Sequence, residues 1–301
     1  MDPAFFFGAF IVIRQKTLKK DLIFRGIGVH FGIESSIILK PAPADYGICF
    51  VDSNDSQKNI KIGTVVPQEA MHATVLNNAD FVISTVEHLM AAIITLNIDN
   101  LKILIDGPEI PILDGSALPF VDLILQNGLQ EQDQEKKFLT PLNNLKIEGD
   151  QERVIEIIPA IEDKINGRYD KNFYFDYTTD FSHPLVGKSR LEGVLSQEYF
   201  IQNIAPARTF GFLDQLPFLR RHGLAKGTTL GNTVVLCKEE FLNETRFHDE
   251  FSRHKLLDLI GDLALLGKKL AGRVKAQKTG HNFNRLIVKH YIENPELWKE
   301  M

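Results

Sequence analysis

The stretch from Asp249 to Leu266 limits the possible folds of this chain most. Leu256, Leu257, Leu259, Ile260 and Leu263 recur there at helical spacing, stopped near Gly267, which predicts a long helix with at least one buried side. Within it His254, Asp258 and Asp262 stand four residues apart, on one stripe of the helix. Polar groups on a buried stripe need a common partner, because leaving them unpaired away from water costs free energy. The competing reading is an i,i+4 hydrogen-bonded pair on a solvated face.

A second segment, Ser84-Thr85-Val86-Glu87-His88-Leu89, opens another helix-periodic run, predicted over Thr85 to Leu96. Ser84-x-x-Glu87 fits a capping box, with Glu87 reaching back to the N-cap amide and His88 a partly buried core histidine. From this segment alone the cap is the favoured reading, but the segment also offers a metal ligand beside a base. Together the two runs supply two His, one Asp and a Glu. That is the inventory of a catalytic zinc site with three protein ligands, an open position and a base to activate water.

The rest of the chain predicts an α+β protein in two similar halves. Strands are expected at Leu22 to Phe24, Ser35 to Lys40, Gly47 to Val51, Asn59 to Val65 and Leu101 to Ile105, and a helix at Leu118 to Leu125. Polar Gln126 to Lys137 reads as an interdomain linker, dividing the chain into domains 1–130 and 131–301. The second half repeats the plan: strands at Val154 to Ile158, Asn172 to Tyr177, Asn232 to Leu236 and Arg273 to Gln277, with a short helix around Gln197 to Ile201. His281 falls in a Gly-containing loop, Lys278 to His281. Helix then strand, with a His near the helix start, occurs in both halves, a weak internal repeat. Strands and helices do not strictly alternate, which favours α+β over a doubly wound sheet.

Composition excludes several classes. The net charge of -5, with no basic run, gives no reason to expect nucleic acid. Apolar Ala4 to Ile13 is too short to span a bilayer and lacks the flanks of a signal peptide, so residues 1–13 read as a disordered or non-native extension. Cys49 and Cys237 lie in apolar, strand-like runs and read as buried free thiols, which predicts a cytoplasmic protein and a metal site without thiolates. Gly26-Ile27-Gly28-Val29-His30-Phe31-Gly32 is not a dinucleotide fingerprint: its spacing is GxGxxxG and no helix follows, so a tight turn is expected. His72, His183, His222, His248 and His290 lack a partner pattern.

Seven motifs occur in order: Thr85 to Leu89, Ile98-Asp99-Asn100, Glu109 to Ser116, Ala207-Arg208-Thr209-Phe210-Gly211-Phe212, Asp249-Glu250-Phe251, His254 to Asp258 with Gly261-Asp262-Leu263, and Thr279-Gly280-His281. The set resembles the UDP-3-O-acyl-N-acetylglucosamine deacetylases of lipid A biosynthesis, from about Thr17 to about Leu286, and Gly26 to Gly32 matches an N-terminal motif of that family. The resemblance implies two similar α+β domains, each a β-sheet with two main helices, the helices sandwiched between the sheets. It implies a zinc-dependent hydrolase that removes the N-acetyl group of the UDP-sugar. By motif matching the Zn2+ ligands are His88, His254 and Asp258, Glu87 is the general base and His281 the general acid. Thr209 matches an oxyanion-stabilising residue, and Asp262 the carboxylate that orients the acid His. Lys255 and Phe210 match substrate contacts, and His30 lines the acyl passage or the rim. The implied partner is the acylated UDP-sugar, with no nucleic acid, no membrane span, peripheral membrane contact through the lipid substrate, and a monomeric state. The resemblance also implies acetate release. Two other readings stand beside it: a zinc amidohydrolase for another N-acyl sugar, and a non-catalytic binding protein on the same fold.

Overall fold

A computed structural model describes residues 12–163 and 167–301. The apolar stretch expected to be an extension, Ala4 to Ile13, lies almost wholly outside the described residues.

Two five-stranded sheets share one topology. In the first, the spatial order is Leu22–Ile27, Glu34–Pro41, Leu101–Asp106, Ile48–Asp52, Asn59–Lys61. In the second it is Leu145–Glu148, Val154–Pro159, Gly272–Gln277, Phe173–Asp180, Lys188–Val194. Pairing along each sheet runs antiparallel, antiparallel, parallel, antiparallel. The central strand is the last of its repeat in chain order, and a helix precedes it in each case: Glu87–Thr95 and Glu250–Ala264. A second helix follows it: Leu118–Asn127 and His281–Glu293. The internal repeat is therefore a full duplication of topology.

Alternation sets one face of each sheet inward. Ile37, Leu39, Ile103 and Ile105 are buried in the first sheet, and Ile155, Ile157, Phe175 and Val274 in the second. These residues belong to one continuous core together with Leu89, Ile93, Leu256 and Leu259 of the two central helices. The central helices meet directly. A Cβ on Gly261 would lie 2.0 Å from the Glu87 carbonyl oxygen, so only glycine admits this approach. Both are buried on nearly every face, as a helix packed on all sides must be.

Three sequence expectations need correction. Leu129–Glu135 is not a free linker but a strand, paired antiparallel with Arg14–Leu18. Its polar side chains other than Gln132 stay exposed, so it showed no apolar period. The strand from Asn59 stops at Lys61, where Gly63 (φ +87°) turns the chain. The capping box at Ser84 does not form. Thr85 adopts φ +60°, the helix begins after Val86 with no side-chain cap, and the Glu87 carboxylate accepts from the Thr74 amide instead. Cys49 and Cys237 are both free, the first buried and the second half-buried. Among the described residues no helix is long and apolar enough to cross a membrane.

Candidate active site

The seam between the two central helices carries the polar residues that their apolar sequences made conspicuous. His88 sits one residue into the first helix. His254 and Asp258 lie one turn apart on the second, on the face turned toward His88. His88 Nε2 is 3.7 Å and His254 Nε2 3.4 Å from Asp258 Oδ1. The imidazoles stand edge to face, centroids 4.9 Å apart. All three residues are buried, and they form a cluster whose ligand atoms lie within 4.8 Å of one another.

The donor chemistry fits a cation. Asp258 Oδ1 is buried and accepts no hydrogen bond, while Oδ2 is taken by Lys255 Nζ at 2.5 Å. A buried carboxylate oxygen left unpaired is costly, and a metal ion would satisfy it. Burial alone would raise the Asp258 carboxyl, but Lys255 and the surrounding imidazoles outweigh it and hold the group ionised. Burial, and then the neighbouring His254, pushes His88 down to about 3; burial also lowers His254. Both rings are thus neutral, the form that binds metal. The carbonyl of Ala207 lies 3.0 Å from His254 Nδ1, which fixes the proton there and leaves Nε2 facing the cluster.

Glu87 and His281 face each other beside this cluster. His281 Nε2 is 3.9 Å from Glu87 Oε1 and 3.7 Å from Asp258 Oδ2. His281 is not in a loop: it opens the His281–Glu293 helix, with Gly280 extended before it. Asp262, a further turn along from Asp258, turns to His281 and not to the His88 cluster. Its Oδ2 lies 3.0 Å from His281 Nδ1 and accepts from Asn284 at 2.8 Å, and its Oδ1 accepts from the Thr74 hydroxyl at 2.5 Å. The stripe of three polar residues therefore has two partners, not one. Burial raises Glu87 to about 8, with the His281 charge opposing and Asp262 and Asp258 adding to the rise. Burial would lower His281, but Asp262, Asp258 and Glu87 together lift it to about 9.

A cavity of about 470 Å³ opens over both groups. Thr209 and Phe210 line it, at the start of the strand Phe210–Phe212, which runs parallel to Val234–Leu236. Phe210 stacks on Phe251, centroids 4.1 Å apart. Its apolar lining includes Ile112, Phe212, Leu216, Leu219, Ala225 and Val235. A second cavity of about 310 Å³ shares Arg153, Lys255 and Lys278 with it and is also lined by Asp180.

His30 also lines the cavity, and burial lowers its pKa. The glycine motif around it is a tight turn built on a buried carboxylate. Glu109 accepts the amides of His30 and Phe31 at 3.0 Å and the Thr85 hydroxyl at 2.8 Å. A Cβ on Gly28 would fall 2.1 Å from that carboxylate, which explains the glycine.

Sequence reasoning gave no role to Thr74, Asn284, Glu109, Arg153, Lys278 or His72. His72 lines the cavity, and its carbonyl lies 3.1 Å from His30 Nε2. Thr74 and Asn284 carry no spacing signal, since their partners lie 188 and 22 residues away.

Fold and site together define a class: a duplicated α+β protein with a His/His/Asp cluster at the seam of its repeats and a deep cavity above it. The family model of UDP-3-O-acyl N-acetylglycosamine deacetylase matches residues 15–293, and the chain belongs to that family. Similar proteins carry the name UDP-3-O-acyl-N-acetylglucosamine deacetylase. That of Histophilus somni is 41% identical, over 96% of this chain and 93% of its own. That of Syntrophotalea carbinolica is 39% identical, over 96% and 91%. That of Nautilia profundicola is 38% identical, over 93% and 92%.

Proposed function

We propose that this cavity hydrolyses the N-acetyl group of a UDP-3-O-acyl-N-acetylglucosamine, releasing acetate, as a step of lipid A biosynthesis. The observation that carries the reading is the unpaired Asp258 Oδ1, buried between His88 and His254, with Glu87 and His281 across the same space.

His88, His254 and Asp258 would hold a zinc ion. Bound there, it would polarise the acetamide carbonyl, make water more acidic, and add the positive charge that returns Glu87 to its ionised form. Glu87 takes the proton of the attacking water. His281, kept protonated by Asp262, gives a proton from Nε2 to the departing amine. Its charge and the Thr209 hydroxyl stabilise the negative charge that develops on the carbonyl oxygen. Lys255, Arg153 and Lys278 suit the diphosphate of the nucleotide, and Phe210 the sugar. The apolar lining suits the acyl chain, and His30 belongs to the same cavity. Two free thiols and a nucleotide-sugar substrate fit a cytoplasmic enzyme.

Turnover of the acylated UDP-sugar, measured with metal content, tests this. Chelation should abolish activity and zinc restore it. Glu87→Gln should lower kcat on the order of 10²–10⁴-fold with zinc still bound. A fully active metal-free preparation, or a Gln variant of normal kcat, refutes the assignment.

A further inference from the structure

The groups assigned to base and acid catalysis are joined by one residue that neither role requires, Thr74. It is buried, 3% exposed, just before the strand Val75–Asn78. Its amide donates to Glu87 Oε2 at 3.2 Å. Its hydroxyl lies 2.5 Å from Asp262 Oδ1 and 3.0 Å from His281 Nδ1. Its carbonyl accepts the Thr85 amide at 3.0 Å, tying it to the positive-φ residue two positions before the Glu87 helix.

We propose that Thr74 is a positioning residue that fixes the proton of His281 on Nδ1 and aims Nε2 at the substrate. The inference rests on the reading of His281 as the acid.

The hydrogen-bond directions follow from valence. An ionised carboxylate only accepts, so the Thr74 hydroxyl must donate its single proton to Asp262. The oxygen then has only lone pairs to offer His281, so Nδ1 must carry a hydrogen to meet it. Asp262 Oδ2 makes the same demand from the other side, 3.0 Å away. Two acceptors therefore converge on Nδ1. The neutral ring is left with a bare Nε2, and the cation has its transferable proton there. Asp262 could enforce the tautomer alone, but it could still rotate about its own carboxyl axis. Thr74 on Oδ1 and Asn284 on Oδ2 stop that rotation. The Thr74 amide places Glu87 from the same residue, so base and acid share one reference point. Orienting residues of this kind typically change activity about ten- to a hundredfold when removed.

The test compares Thr74→Val, which keeps shape and amide but loses the hydroxyl, with Thr74→Ser, which keeps the hydroxyl. The Val variant should lose about ten- to a hundredfold in kcat, with KM, metal content and Tm close to wild type, and the Ser variant should recover most of the rate. Normal kcat in the Val variant, or equal loss in Ser and Val, overturns the proposal. Asp262→Asn and His281→Ala run alongside. If these two also keep full kcat, the acid assignment itself fails; if they lose it while Val does not, only the role of Thr74 fails. Should the Val variant not fold, Thr74→Ala replaces it in the kcat comparison with Thr74→Ser, and ring-nitrogen NMR of the wild-type protein checks the tautomer. His281, assigned through His281→Ala, should show Nδ1 protonated in its neutral form, and a neutral ring protonated on Nε2 overturns the proposal.

Discussion

The substitution Gly261→Ala sets two opposite expectations against each other. By local propensity it should help: alanine in a helix interior is worth about 1 kcal/mol over glycine. By packing it should hurt. The new Cβ would sit 2.0 Å from the Glu87 carbonyl oxygen, 2.7 Å from its carbon and 2.9 Å from its Cα. Ordinary contact begins at 3.4 Å, so relieving the nearest clash alone requires the two helices to part by about 1.4 Å (3.4 minus 2.0). All three atoms are backbone, with no rotamer to give way. Overpacking typically costs 1–3 kcal/mol, and this rigid case belongs at about 3. Net of propensity, the loss is about 2 kcal/mol. At about 2 cal/mol/K of unfolding entropy per residue, that lowers Tm by roughly 3 °C. Activity should suffer far more. His88 neighbours Glu87 on one helix, and Asp258 lies a turn before Gly261 on the other, so the same displacement pulls the cluster apart. A 1 Å misplacement can cost about 10²-fold in rate. Scanning calorimetry, kcat and bound metal on one preparation give the answer. A variant with raised Tm and unchanged kcat would show that the helices do not touch here.

Other expectations concern charge. The rate should be bell-shaped in pH. It should rise as Glu87 ionises and fall as His281, its charge supported by Asp262, deprotonates. Asp262→Asn removes the largest influence raising His281, so the alkaline limb should move to lower pH with metal content unchanged; an unmoved limb with lost metal would make Asp262 a ligand. Away from the site, the buried Lys136 ammonium pairs with Asp99. Lys136→Met leaves that carboxylate without its cation and should cost about 3 kcal/mol, whereas Lys136→Met with Asp99→Asn should cost much less; equal losses in urea unfolding would exclude the pairing as the cause.

The metal-type cluster was legible because helix periodicity is local. His254 and Asp258 share a face by spacing alone, and an apolar setting makes their polarity informative. What joins them to His88 is tertiary: residue types alone offered the three as an inventory, and only the resemblance assigned them as one ligand set. The capping box misled because Ser84-x-x-Glu87 satisfies a local pattern that Thr85 overrides. Its φ of +60° is held by Glu109, 24 residues on, and by the Thr74 carbonyl. The strand Leu129–Glu135 was hidden for the opposite reason. It is an edge strand most of whose side chains face water, so backbone pairing with Arg14–Leu18, and no apolar pattern, defines it. The helix after Gly280 begins at the last residue of the Thr279-Gly280-His281 motif, and its buried apolar positions, Phe283, Ile287 and Val288, are few among polar neighbours.

The duplicated architecture makes activity a coincidence signal. Thr74, Glu87 and His88 belong to the first repeat, while His254, Asp258, Asp262 and His281 belong to the second. Neither repeat owns a complete set of reacting groups, so a chain whose halves have folded but not docked is chemically silent. In a denaturant titration, turnover should therefore vanish no later than the near-ultraviolet signal of the docked core, and ahead of helical content if the halves separate first. A metal ion shared across the seam would act as a clamp on that docking, its binding energy added to the association of the halves. Ion supply would then control not only how fast the protein works but also whether its two halves stay together.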